Sequence, residues 1–116
     1  MTMRLLQVLD GITRVRGVRG AMLVAAADGL VVAESLMEGV RGNAVAALAA
    51  SLAKRMRLAC NASGAGPPQF LHLQADDGML LVVPGDEDLV LVAVAESGAN
   101  VGLVRLEMLN AIEAMA

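Results

Sequence analysis

The spacing of apolar residues divides the chain into eight segments. In "TMRLLQVLDGITRVR", residues 2–16, Leu5, Val8, Leu9, Ile12 and Val15 recur at the interval of one helix face. Thr2 offers an N-cap and Gly17 a stop, while Gly11 weakens the helix by about 1 kcal/mol relative to Ala. Two strands are expected next, over 19–27 and 30–36, around Asp28-Gly29. Asp-Gly favours a two-residue type I′ turn, which needs positive φ at both central positions. The first of these strands is apolar on both faces, the pattern of a strand covered on both sides.

After "EGVRGN", the spacing predicts a helix over 44–60, with Asn43 as its cap. Val45, Leu48, Leu52 and Met56 mark one stripe along it, and Ala46, Ala49, Ala50 and Ala53 form a second face of small residues. Lys54, Arg55 and Arg57 fall in its expected last turns, where cations suit the helix dipole. Asn61 and "SGAGPP" end it. Three strands follow: "QFLHLQA" at 69–75, "GMLLVVP" at 78–84 after the acidic turn Asp76-Asp77-Gly78, and "LVLVAVA" at 89–95 after Gly85-Asp86-Glu87-Asp88. The last two are apolar on both faces and are expected at the centre of a sheet. Pro67, Pro68, Gln69 and Gln74 make the first of the three an edge strand.

A closing helix is expected over 101–115, capped by Ser97 or Asn100. Val104, Met108, Ala111 and Met115 line one of its faces, joined by Leu109 and Ile112. The order α-β-β-α-β-β-β-α, with strands joined by tight turns, implies an α+β fold: an antiparallel sheet with helices on both faces. No linker, repeat or low-complexity tract interrupts it, so residues 1–116 read as one domain.

Composition narrows the function. The chain is 57% hydrophobic but has one Phe and no Trp or Tyr, so aliphatic residues, Ala and Met must fill its interior. A membrane-spanning helix needs about 20 largely apolar residues in a row. The longest clean runs, 21–27 and 89–95, are each stopped by an acid, and no direct membrane insertion is expected. The start has no long apolar stretch or cleavage site of a secretory signal, and the cytoplasm is the expected compartment. Net charge is −3, and basic residues are scattered apart from Lys54, Arg55 and Arg57. With almost no aromatic side chains to stack on bases, nucleic-acid binding is not expected.

Candidate chemistry is sparse. Asp28 sits where Asp is favoured for backbone reasons, so a turn role is preferred to that of a general base. Asp76-Asp77 and Asp86-Glu87-Asp88 lack the spacing of an EF-hand and read as solvated hairpin tips. His72, on the apparent edge strand, has no Ser or Cys beside it in sequence and reads as an interface or surface histidine. Cys60 is the one cysteine, so no internal disulfide is possible, and it reads as a partly buried helix-end thiol. One Cys and one His do not make a zinc site of the usual kind. Neither GxxxxGK[ST] nor GxGxxG occurs, and "SGAGPP" lacks the lysine of a phosphate loop. No catalytic residue, metal or cofactor is expected. The second, small-residue face of the middle helix is the least ordinary feature. It would let another helix come close, and the edge strand invites pairing with another chain.

"GVRGAMLVAAADGLVVAES", "GNAVAALAASLAKRMRLA" and "HLQADDGMLLVVPGDEDLVLVAVAESGANVGLVRLEM" together resemble the roadblock/dynein-light-chain family, in its prokaryotic branch related to the gliding regulator MglB. The resemblance covers nearly the whole chain. It implies a roadblock/profilin-like sandwich with five antiparallel strands, the middle helix on one face and the terminal helices on the other. It also implies homodimers in which the third strands pair and the middle helices lie side by side, making a face that docks a small Ras-like GTPase and regulates its nucleotide cycle. Carried over by element, the dimer edge is Phe70, Leu71, His72 and Leu73, and the partner-binding face is Ala46, Ala50, Ala53 and Arg57. Arg41, Arg55 and Arg57 are candidates for an arginine supplied in trans. The competing readings are a purely structural dimerisation subunit, and an enzyme or ligand sensor. The last would need a concave pocket with convergent polar groups, and few polar residues here look buried.

Overall fold

The computed structural model describes residues 2–85 and 88–115, and in it the eight elements form in the expected order. They are α1 (Thr2–Thr13), β1 (Val18–Ala25), β2 (Val31–Leu36), α2 (Gly42–Ala62), β3 (Leu71–Ala75), β4 (Gly78–Pro84), β5 (Leu89–Ala95) and α3 (Val101–Met115). The side chain of Thr2, with the cap expected of it, lies outside the described residues, as do Asp86 and Glu87 of the last acidic run.

The strands form one sheet in the order β2-β1-β5-β4-β3, with every neighbouring pair antiparallel. Strand alternation sends Ala21, Leu23, Leu81, Val83, Leu91 and Ala93 to one face, where Leu9 and Ile12 of α1 and Val104 and Met108 of α3 cover them. Met22, Val24, Val82, Val90 and Val92 point to the other face, beneath α2. Coverage on both faces is why β1, β4 and β5 read as nearly unbroken apolar runs. The sheet thus carries α2 alone on one side and α1 with α3 on the other, the sandwich expected from the sequence.

Two junctions fix how the terminal helices meet the sheet. Gly17 takes φ +94 between α1 and β1, and a Cβ there would lie 2.9 Å from the Ala99 Cβ, so only glycine fits without a shift. At α3, Asn100 supplies the cap: its Oδ1 accepts a hydrogen bond from the Leu103 N–H at 3.0 Å.

Three expectations are corrected. The connection from β1 to β2 is not a two-residue I′ turn. It spans 26–30, closed by the Gly29 N–H to the Ala25 carbonyl and the Ala25 N–H to the Leu30 carbonyl, both 2.9 Å. Gly29 has φ +72 but Asp28 is not in the left-handed region, so the I′ requirement fails. The longer loop lets Gly29 rest on α2, where an added Cβ would come within 2.9 Å of the Ala47 Cα.

The second correction concerns the ends of α2. It starts at Gly42 behind Arg41, which makes no side-chain cap bond, so Asn43 lies inside the first turn instead of capping it. It runs on to Ala62, so Lys54, Arg55 and Arg57 stand before the last turn and are not dipole partners of its C-terminus.

The third is the rotation of α2 about its axis. Ala46, Ala49, Ala50 and Ala53 are its buried residues, packed on Met22, Val24, Val82, Val90 and Val92. The face assigned to a partner, Ala46, Ala50 and Ala53, is therefore occupied by the domain's own sheet. Leu48, assigned to the packing stripe, is 71% exposed. Small side chains let the helix axis settle close over a surface already filled by Val and Met, and a leucine stripe turned inward would overfill that layer.

Candidate interaction surface

β3 is an edge strand whose free side has no neighbour among the described strands. Its register with β4 sets Leu71 opposite Val82 and Leu73 opposite Leu80, which places both leucines on the α2 face. Leu71 is half-buried, while every other β3 residue is exposed and Leu73 keeps 43% of its surface. Along the inner border of this edge, Leu73 and Leu80 join Val45, Leu48, Leu52 and Arg55 of α2 around an open groove of about 450 Å³. The groove is apolar except at Arg55 and Ser51. Edge and groove form one continuous surface.

The opposite edge is built differently. β2 carries an irregularity where Leu23 pairs with Ala33 but Val24 pairs with Val31, so Val32 is extra. A bulge of that kind twists an edge away from further pairing. β3 pairs residue for residue from Leu71 to Ala75 without a bulge, so the regular, unprotected edge is the one beside the apolar groove.

The remaining expected residues fall as follows. Phe70 precedes β3, shorter by two residues than its expected span, and turns to the other face, where it packs on the α1/α3 core. The Arg105 guanidinium lies 5.0 Å from its ring centroid, which fits a cation–π contact. His72 pairs with Leu81 on that same side of the sheet, and its Nε2 stands 3.1 Å from the Gln74 Oε1. Of the four dimer-edge residues, only Leu71 and Leu73 thus lie on the α2 face, and of these Leu73 lines the groove. Asp28 is exposed, and its Oδ1 accepts the Leu30 N–H at 3.2 Å, a local loop bond of the kind Asp makes in turns. Cys60 is half-buried near the end of α2, and its carbonyl accepts the Ser63 hydroxyl at 3.0 Å. Among the described residues, no three of His, Cys, Asp and Glu stand close enough to hold a metal ion. Sequence reasoning missed Leu48 and Leu80 as surface residues. The signal for Leu48 was present: 46, 49, 50 and 53 follow the i, i+3, i+4, i+7 rule of a buried stripe, which turns 48 outward.

Residues 4–95 match the sequence model of the Roadblock/LC7 domain. The chain belongs to that family. An uncharacterized protein of Methanocaldococcus jannaschii is 29% identical over 107 residues, covering 92% of each chain. Among solved structures, the gliding protein MglB of Thermus thermophilus superposes with a TM-score of 0.87 at 27% identity, covering 99% of this roadblock domain and 87% of that chain. The Roadblock/LC7 domain of Streptomyces avermitilis gives 0.85 at 22% identity, covering 94% and 92%. Profilin II of Acanthamoeba castellanii, at 17% identity, gives 0.60 over 98% of this chain and 94% of that one, a likeness of fold alone. These likenesses support the profilin-like sandwich and the prokaryotic roadblock assignment.

Proposed function

We propose that this chain is a non-enzymatic homodimer that binds a small Ras-like GTPase in the cytoplasm and modulates its nucleotide cycle. The observation that carries the dimer is the continuity of the regular β3 edge with the apolar groove of Val45, Leu48, Leu52, Leu73 and Leu80. Pairing β3 with its mate supplies partners for its unpaired N–H and C=O groups. The same approach brings Leu48 of each copy against the other and removes its exposed surface from water, which is favourable by about 25 cal/mol per Å². Membership of the family and the likeness to MglB support the GTPase as partner.

Regulation follows if the dimer binds one nucleotide state better than the other, since only differential affinity shifts an equilibrium. Arg55 lines the groove and Arg57 stands on the opposite flank of α2, so dimerisation covers the first and leaves the second accessible. Light scattering should give a dimer mass for the wild type at micromolar concentration and a monomer mass for Leu73→Glu. GTP turnover by a Ras-like GTPase of the same organism should change on adding the wild type. A monomeric wild type contradicts the dimer. A dimer that leaves turnover unchanged points instead to a structural subunit.

A further inference from the structure

The flank of α2 away from the groove differs from it in chemistry. α2 carries no Asp or Glu over its whole length, and its cations Lys54, Arg55 and Arg57 sit within about one turn. Lys54 and Arg57 rim a hollow of about 160 Å³ lined by Ala26, Ala27, Ala50 and Ala53, with Asp88 across it. An adjoining hollow of about 270 Å³ shares Ala26, Ala27, Ala50 and Lys54 and adds Asp28 and Gly29 of the β1–β2 loop. Ala50 and Ala53, almost wholly buried against the sheet, only close the bottom of the hollow, while Ala26 and Ala27 present small side chains at its side.

We propose that these joined hollows are the specificity-determining part of the partner interface, and that they take an acidic side chain projecting from the surface of a folded protein. The proposal rests on the GTPase-binding reading and names the surface chemistry the GTPase must present. Lys54 and Arg57 supply the charge for a carboxylate. Asp28 and Asp88, beside them, call for a cation or N–H donor on the partner a few ångströms away. That mixed pattern disfavours an anionic membrane or a nucleic-acid backbone, whose uniform negative charge would be repelled by both acids. A folded protein can match both signs, and such complementarity selects partners and speeds encounter. Pairing through β3 covers the other flank of α2, so the dimer exposes one such hollow pair on each copy.

The test uses the full chain and a purified Ras-like GTPase of the same organism, with affinity measured calorimetrically at rising NaCl. Wild-type affinity should fall steeply as salt shortens the screening length toward about 5 Å. Lys54→Glu and Arg57→Glu, at exposed positions, should keep the wild-type melting temperature and dimer mass. Each should lose roughly tenfold in affinity, with a flatter salt dependence. Sedimentation with phosphatidylserine vesicles should leave the wild type in the supernatant. Wild-type binding that is indifferent to salt and to both reversals overturns this inference and leaves the GTPase reading standing. Cosedimentation abolished by the reversals overturns it in favour of a lipid surface. A GTPase that does not bind the wild type at all removes the functional reading itself, and this inference with it.

Discussion

Replacing Ala46 by Leu tests which side of α2 faces the sheet. Ala46 is fully buried against Met22, Val24 and the β4–β5 valines, and protein interiors are packed with few voids. Three added carbons would contribute about 2 kcal/mol if a void received them. In a filled layer they instead push the helix outward or force strained rotamers, at a net cost of about 1–3 kcal/mol. Unfolding entropy near 2 cal/mol/K per residue, over 116 residues, converts this to about 4 °C of melting temperature per kcal/mol. Calorimetry should therefore show Ala46→Leu melting some 4–12 °C below the wild type. The control is Leu48→Ala, measured in the Leu73→Glu background to remove any dimer contribution. At a position 71% exposed it should cost no more than about 0.5 kcal/mol. The reverse ranking, a harmless Ala46→Leu with a costly Leu48→Ala, would show that the helix is rotated and refute the packing described here.

Other substitutions probe single contacts. Gly29→Ala should lower stability by about 1–3 kcal/mol in a denaturant melt, because residue 29 has φ +72 and a Cβ would meet the Ala47 backbone at 2.9 Å. Asn100→Ala should cost about 1 kcal/mol in the same assay through loss of the bond to the Leu103 N–H. Asp28→Asn should leave stability unchanged in the same assay, since an amide oxygen can accept the Leu30 N–H equally well.

Most of the fold was legible because its signals are local. α1 and α3 announced themselves by large apolar residues at helical spacing, and Leu9, Ile12, Val104 and Met108 are indeed fully or almost fully buried. β4 and β5 matched their expected spans, and the prolines and glutamines around β3 marked it as an edge. The rotation of α2 was misread because side-chain size was allowed to outweigh spacing. An alanine stripe contributes little hydrophobic energy per residue, yet it determines how near a helix can lie to a sheet. That distance depends on what the sheet presents from β1, β4 and β5, which no local window contains. The β1–β2 loop was misread for a similar reason: Gly29 serves the approach to Ala47, a contact distant in sequence, as well as the turn. The groove combines residues from α2, β3 and β4, so only the assembled sheet reveals it.

The central claim is that this roadblock domain favours one nucleotide state of a small GTPase. It is tested most directly by titrating the wild-type chain into a Ras-like GTPase of the same organism, loaded in parallel with GDP and with a non-hydrolysable GTP analogue. The account predicts binding to both or one, with affinities that differ by about tenfold or more, equivalent to roughly 1.4 kcal/mol. Equal affinities for the two states would contradict it.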